Sequence, residues 1–185
     1  MSDTLDFTAL WGKATPWHVY LRPSMEHFEL WRAIYDRATI PGWALEAFMT
    51  GPVRKLLVLA ADWCGDAANT VPVLARLADL VPGMEIRALD RDRFPEVMGQ
   101  YLTDGTRSIP IAIALDENFR ELGHWGPRPA ALQEWVLANK KMIPSPKRYA
   151  YARRWYAKDA GESTLRELLA AVTSRASTTQ DESAG

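Results

Sequence analysis

The sequence predicts an α/β fold with a central mixed β-sheet flanked by helices. A continuous apolar stretch at 54–61, a helical pattern at 65–80 and a second apolar stretch at 84–90 follow one another, which is the order of a parallel strand–helix–strand unit. Two further strands are expected at 111–115 and 119–124, and the short turn between them predicts a β-hairpin. A parallel pair joined to a hairpin makes the predicted sheet mixed.

Residues 1–53 are expected to form a helical, aromatic extension that packs on the core. Residues 1–22 show no clear periodicity and predict a packed but irregular segment. A helix is expected from Ser24, a good N-cap residue, because apolar side chains then recur at helical spacing as far as Ala38. A shorter helix is expected over 43–49.

The core domain is expected to span residues 54–142. In its first strand, 54–61, the apolar residues are continuous and do not alternate with polar ones, which is typical of a buried central strand. Pro72 predicts a kink in the helix that follows. A short helix is expected over 94–102, and a closing helix over 130–142 whose inward face is formed by Leu132, Trp135, Val136 and Leu137.

Residues 143–175 are expected to form a C-terminal helical extension, followed by a disordered tail at 176–185. The stretch 147–158 is both basic and aromatic, so it could bind a phosphate backbone or an acidic partner. We favour an amphipathic helix whose aromatic side chains pack on the domain, because the whole chain is not basic. Thr164 and Glu167 form a plausible capping box for a last helix that ends near Ser174.

The composition limits the classes of function. The 185 residues are 48% hydrophobic and 24% charged, as in a globular domain, and the formal net charge of −1 provides no field that attracts nucleic acid or an anionic membrane. No stretch is apolar enough to span a membrane, and the N-terminus has no signal-peptide pattern. With a single cysteine the chain can form no internal disulfide, which suits a reducing compartment. We therefore expect a cytoplasmic protein that binds neither membrane nor nucleic acid.

The segment LLVLAADWCGDA, residues 56–67, is the candidate functional segment. It predicts a strand that delivers Cys64 to the first turn of a helix, where free backbone N–H groups and the helix dipole favour a thiolate. The carboxylates of Asp62 and Asp66 would oppose this effect by raising the thiol pKa. Two plainer interpretations stay open: Cys64 as a small buried hydrophobic residue, and Asp66 as an acid that complements the helix dipole.

Three landmarks in this order resemble the thioredoxin-like superfamily. The motif WCGDA, residues 63–67, is similar to its W-C-x-x-C active-site turn except at the last position. Ile109–Pro110 stands where the superfamily has a cis-proline facing the nucleophile, and Gly123–Trp125 stands where its third groove loop lies. The resemblance covers about residues 54–142. It implies a substrate groove lined by Trp63, Gly65, Asp66, Ala67, Ile109, Pro110, Gly123, His124 and Trp125.

Two departures from the superfamily pattern restrict the chemistry. Ala67 replaces the resolving cysteine, and Val58 replaces the buried acid that is thought to assist it. The internal dithiol–disulfide cycle therefore cannot run. Arg107 and His124 are candidates to bring positive charge near the thiol.

Two hypotheses follow. Cys64 could form mixed disulfides with a protein disulfide or a small thiol partner, resolved by an external thiol. Alternatively, the domain could be a redox-inactive binding module that uses the groove to recognise a peptide or partner. No cofactor is expected, since the histidines are scattered without metal-ligand spacing and the turn differs from the Cys-Gly-Phe-Ser of monothiol glutaredoxins, which share an iron–sulfur cluster. The aromatic extensions could also form a homodimer surface.

Overall fold

The computed structural model describes residues 5–182, with side chains described as far as Ser174. The elements follow in the order α1 (Phe7–Lys13), β1 (Thr15–Pro16), α2 (Trp17–Tyr20), α3 (Phe28–Arg37), α4 (Gly42–Thr50), β2 (Lys55–Ala60), α5 (Gly65–Leu80), β3 (Glu85–Asp90), α6 (Pro95–Met98), β4 (Ile111–Leu115), β5 (Glu121–Trp125), α7 (Ala130–Asn139), α8 (Ser145–Asp159) and α9 (Glu162–Glu182).

The strands form one mixed sheet in the order β1-β3-β2-β4-β5. Strands β2 and β3 pair in parallel, whereas β4 is antiparallel to both β2 and β5, so the predicted α/β architecture is confirmed. Strand β1 pairs antiparallel with β3 at the sheet edge and was not predicted. Its two residues are too few to show a period, and Pro16 lacks the N–H that a central strand would need.

The N-terminal segment is more regular than its sequence predicts. Residues expected to be irregular form α1 and α2, and Asp6 caps α1 by accepting a hydrogen bond from the Ala9 N–H at 2.9 Å. The helix expected from Ser24 begins instead at Phe28, after His27 in a left-handed conformation. The preceding segment is held by a tertiary contact, since the Glu26 N–H donates to the Asp62 carboxylate.

The core lies on both faces of the sheet, and buried residues of the N-terminal segment belong to it. Strand β4 is buried throughout, and β2 is buried from its second residue onward, as continuous apolar runs require. Trp17, Tyr20 and Trp31 pack against one another with ring centroids 5.6–6.5 Å apart. These buried aromatic side chains are continuous with the main hydrophobic core.

Helix α5 has its predicted bounds and continues through Pro72. Helix α7 ends at Asn139, earlier than expected, and only Leu132 is fully buried in it. Leu137, expected to face inward, is 52% exposed. The reason is that part of this helix faces α8 rather than the sheet, with Trp135 stacked on Tyr151 at 3.6 Å between ring centroids.

The C-terminal extension differs from expectation in two respects. Helix α9 continues to Glu182, so the disordered tail expected over 176–185 is wrong for 176–182, and 183–185 lie outside the described residues. A helix anchored by packing lengthens at little cost, because each added residue gains a hydrogen bond.

The predicted capping box is also absent. The Thr164 hydroxyl is buried without a partner among the described residues. Glu167 instead accepts hydrogen bonds from the Ala130 N–H at the start of α7 and from Trp125, each at 2.8 Å.

None of the helices in the described part of the chain is both long and apolar enough to cross a membrane.

Candidate functional site

Cys64 is the N-cap residue of α5, directly after the turn that follows β2. Its Sγ accepts a hydrogen bond from the Ala67 N–H at 3.5 Å and donates one to the Ile109 carbonyl at 3.6 Å. The residue is only 8% exposed. The thiol is therefore held between the first turn of α5 and the segment that leads into β4.

The pKa of the Cys64 thiol is raised above its ordinary value. Burial is the largest cause, and the negative charge of Asp66 adds to it. The Ala67 N–H and the Arg128 guanidinium act in the opposite direction but do not compensate. The sequence left these opposing effects unresolved, and desolvation decides between them.

Asp62 has a different role from the one that the sequence suggested. Its carboxylate accepts from the Glu26 N–H, and its carbonyl accepts from the Trp31 indole N–H, both at 3.1 Å. These two contacts anchor the N-terminal extension to the turn that carries Cys64.

Asp66 lies at the centre of a polar cluster that sequence reasoning missed. Its carboxylate pairs with the Arg128 guanidinium at 2.6 Å and accepts a hydrogen bond from the Tyr156 hydroxyl at 2.8 Å. Burial and the Asp66 charge both raise the pKa of Tyr156, so that its hydroxyl stays protonated. Burial opposes the charge of Arg128, but Asp66 outweighs this effect and raises the pKa of the guanidinium. The cluster joins α5, the loop after β5 and α8.

A cavity of about 530 Å³ opens over Cys64. Six of the residues predicted for the site line it, namely Trp63, Cys64, Gly65, Asp66, Arg107 and Ile109. The other lining residues are His27, Leu30, Asn69, Arg91, Ser108, Arg128, Tyr149, Ala152, Arg153 and Tyr156. The N-terminal extension, the core and the C-terminal extension therefore all contribute to its wall.

The remaining predicted residues lie outside this cavity. Ala67 is buried beneath Cys64, and Pro110 is buried after a cis peptide bond with Ile109. Gly123, His124 and Trp125 belong to β5, which packs on α9. Arg128, which comes from the loop just after β5, lines the cavity instead.

His124 and Trp125 instead make contacts elsewhere. The His124 imidazole lies 3.0 Å from the Glu121 carboxylate and packs edge-on against Tyr101. The Trp125 indole donates to Glu167. Neither side chain brings charge to the thiol, so the role considered for His124 is not supported by its position.

The wall that α8 contributes comes from one face of the helix. Tyr149, Ala152, Arg153 and Tyr156 recur at spacings of three and four, which places them along one side. Arg153 is exposed, as an amphipathic helix with outward-facing cations predicts, but it also lines the cavity, which that interpretation did not foresee. A repeat of three and four residues within 147–158 was the signal that could have identified this face.

Positive charge dominates the cavity wall, although the chain as a whole is slightly negative. Four arginines line it, against the single carboxylate of Asp66. Arg91 is fixed in position, because it donates to the Arg107 carbonyl at 2.7 Å and lies over the Trp63 ring at 4.8 Å. No group of three or more potential metal ligands occurs among the described residues.

Comparisons with known proteins agree on the fold. A family model described as thioredoxin matches residues 15–145. A crystal structure of a protein of unknown function from Pseudomonas aeruginosa is 20% identical with a TM-score of 0.71, covering 92% of this chain and 99% of that one. An HIV epitope scaffold is 19% identical with a TM-score of 0.70 and the same coverage. No curated protein matches the chain. At these identities the structural likeness concerns the fold alone.

Proposed function

Because the chain belongs to the thioredoxin family, we propose that it uses the groove of this fold to bind a ligand, with Cys64 acting as a protonated hydrogen-bond donor at the base of the groove. The binding surface is the cavity over Cys64, built from the turn before α5, the Arg107–Ile109 segment and α8. The thiol does not act as a nucleophile at neutral pH in this proposal.

The observation that carries the proposal is the burial of the Cys64 thiol against the Ile109 carbonyl. Its proton is directed to the Ile109 carbonyl, and a thiolate would lose this hydrogen bond. A thiolate would also place a second negative charge beside Asp66 in a poorly solvated site. Both effects favour the neutral thiol, which is a weak nucleophile.

The absence of a second thiol supports the same function. In the resemblance to the W-C-x-x-C turn, Ala67 stands where the resolving cysteine would be, and Cys64 is the only cysteine in the sequence. Any disulfide formed at Cys64 would therefore persist until an external thiol reached a side chain that is nearly buried. A groove that only binds a ligand forms no disulfide at Cys64 and needs no external thiol to reduce one.

Alkylation of Cys64 by iodoacetamide as a function of pH tests the proposal. We expect a midpoint above the ordinary range of a cysteine thiol, because the raised pKa leaves less thiolate at each neutral pH. The matched control is the same protein unfolded in urea, where the thiol should titrate normally and react faster at pH 7. Cys64→Ser supplies the background. A folded-state midpoint near 6 or 7 would contradict a protonated donor.

A second candidate function is the monothiol exchange reaction. It is favoured by the Ala67 N–H and the Arg128 guanidinium, which both stabilise a Cys64 thiolate. In this reaction the thiolate attacks a disulfide, forms a mixed disulfide with one half and releases the other half as a thiolate. An external thiol then attacks the mixed disulfide and restores Cys64. A low midpoint in the alkylation experiment, together with a mixed disulfide detected by mass spectrometry, would favour this function.

A further inference from the structure

The cavity over Cys64 is closed on one side by a helix from outside the core domain. The face of α8 that carries Tyr149, Ala152, Arg153 and Tyr156 forms this wall. It is tied down by the hydrogen bond from Tyr156 to Asp66 and by the Trp135–Tyr151 stack. A cavity of about 530 Å³ has the size of a small-molecule site. The wall therefore favours a small ligand over a bulky protein loop.

Two of the cavity arginines are available to a ligand. Arg128 is already paired with Asp66, and Arg91 donates to the Arg107 carbonyl. The guanidinium groups of Arg107 and Arg153 are exposed, and neither makes an ion pair or hydrogen bond with another described residue. They enter the cavity from different elements, one from the segment before β4 and one from α8. Such groups suit the charge of an acidic ligand.

The rim of the cavity also presents two exposed aromatic rings. Trp63 is 44% exposed and Tyr149 is 63% exposed, which is unusual for side chains of this size in a folded domain. Arg91 lies over one face of the Trp63 ring and fixes its position. Exposed rings next to unpaired cations complement a flat apolar body that carries an acidic group.

Resting on the proposed function, we infer that the cavity binds a small aromatic anion. Its acidic group is held by Arg107 and Arg153, and its ring system packs against Trp63 and Tyr149. The thiol of Cys64 lies at the base of the cavity and is covered when the ligand is bound.

Two fluorescent probes that differ by one charged group test this inference. Anilinonaphthalene sulfonate carries an acidic group on an aromatic body, and phenylnaphthylamine has the same rings without the sulfonate. We expect the sulfonate to bind the folded protein more tightly and to slow alkylation of Cys64. Arg107→Gln and Arg153→Gln should each weaken its binding about tenfold, because each removes a charge-assisted contact, and should change binding of the neutral probe less than about twofold.

Arg154→Gln is the matched control. Arg154 is the neighbour of Arg153 on α8 but lines a separate hollow on the outer side of that helix. This variant should bind both probes as the unaltered protein does. A greater loss in Arg154→Gln than in Arg153→Gln would place the anion in the outer hollow and overturn the inference. Circular dichroism of each variant establishes that the fold is retained.

The outcomes separate the inference from the proposed function. If both probes bind equally and both protect Cys64, the groove binds ligands without regard to charge, so the inference fails while the proposed function stands. If neither probe protects Cys64 and alkylation has a midpoint near 6 or 7, the proposed function fails as well.

Discussion

Replacing Gly126 with alanine is expected to cost at least about 4 kcal/mol of unfolding free energy, at the extreme of single substitutions. Gly126 follows β5 with φ +133°, a conformation that residues with a side chain rarely adopt. A Cβ added there would lie 2.1 Å from the carbonyl oxygen of Pro110. The obstacle is backbone, which cannot rotate away as a side chain could.

The close approach of Gly126 to Pro110 also holds residues of the candidate site in position. Pro110 and Gly126 flank the paired strands β4 and β5, on the side where Ile109 and Arg128 enter the cavity. Separating the two segments would move the carbonyl that accepts the Cys64 proton and the guanidinium that pairs with Asp66. The substitution should therefore weaken ligand binding as well as the fold.

Urea unfolding followed by tryptophan fluorescence measures the effect, with two glycines as controls. Gly105 also has a positive φ, +72°, but nothing lies within 4 Å of its added Cβ, so Gly105→Ala should cost only about 1–2 kcal/mol. Gly12 lies in α1 with open space around it, and its replacement by alanine should be neutral or stabilising by up to about 1 kcal/mol. A Gly126→Ala protein as stable as Gly105→Ala would show that the close approach carries no cost.

Asp66→Asn is expected to destabilise the fold by about 3 kcal/mol, because it leaves the guanidinium of Arg128 without its partner in a largely buried site. The Tyr156 hydroxyl also loses a charged acceptor. Since Asp66 raises the pKa of Cys64, its removal should at the same time lower the midpoint of Cys64 alkylation.

A double-mutant cycle isolates the pair. Asp66→Asn combined with Arg128→Met removes both charges, so it should be less destabilising than the sum of the two single changes. Arg32→Gln is the control, since Arg32 pairs with Asp36 on the surface of α3 and its loss should stay within about 0.5 kcal/mol. Additive effects at Asp66 and Arg128 would argue against a coupled pair.

The central elements of the fold could be predicted from the sequence because their patterns are local. The continuous apolar residues of β2 and β4 and the helical spacing of α5 reflect burial, which is visible in the order of side chains. The start of α3 could not be predicted in the same way. Its entry segment is held by Asp62, a tertiary contact that overrides the local N-cap signal of Ser24.

The residue pattern by itself placed Cys64 at the start of α5, where the structure has it as the N-cap residue. The resemblance to the thioredoxin-like superfamily placed the Ile109–Pro110 segment opposite the thiol, and the Cys64 Sγ lies 3.6 Å from the Ile109 carbonyl oxygen. Only the tertiary structure decided the electrostatics of the site. Arg128 and Tyr156 reach Asp66 from parts of the chain that are distant in sequence, and burial sets the pKa of the thiol. The sequence shows that a helix begins at the thiol and that acidic residues are its neighbours along the chain. The desolvation of the thiol and the pairing of Asp66 with distant residues depend on which segments fold over this site, and only the tertiary structure shows that.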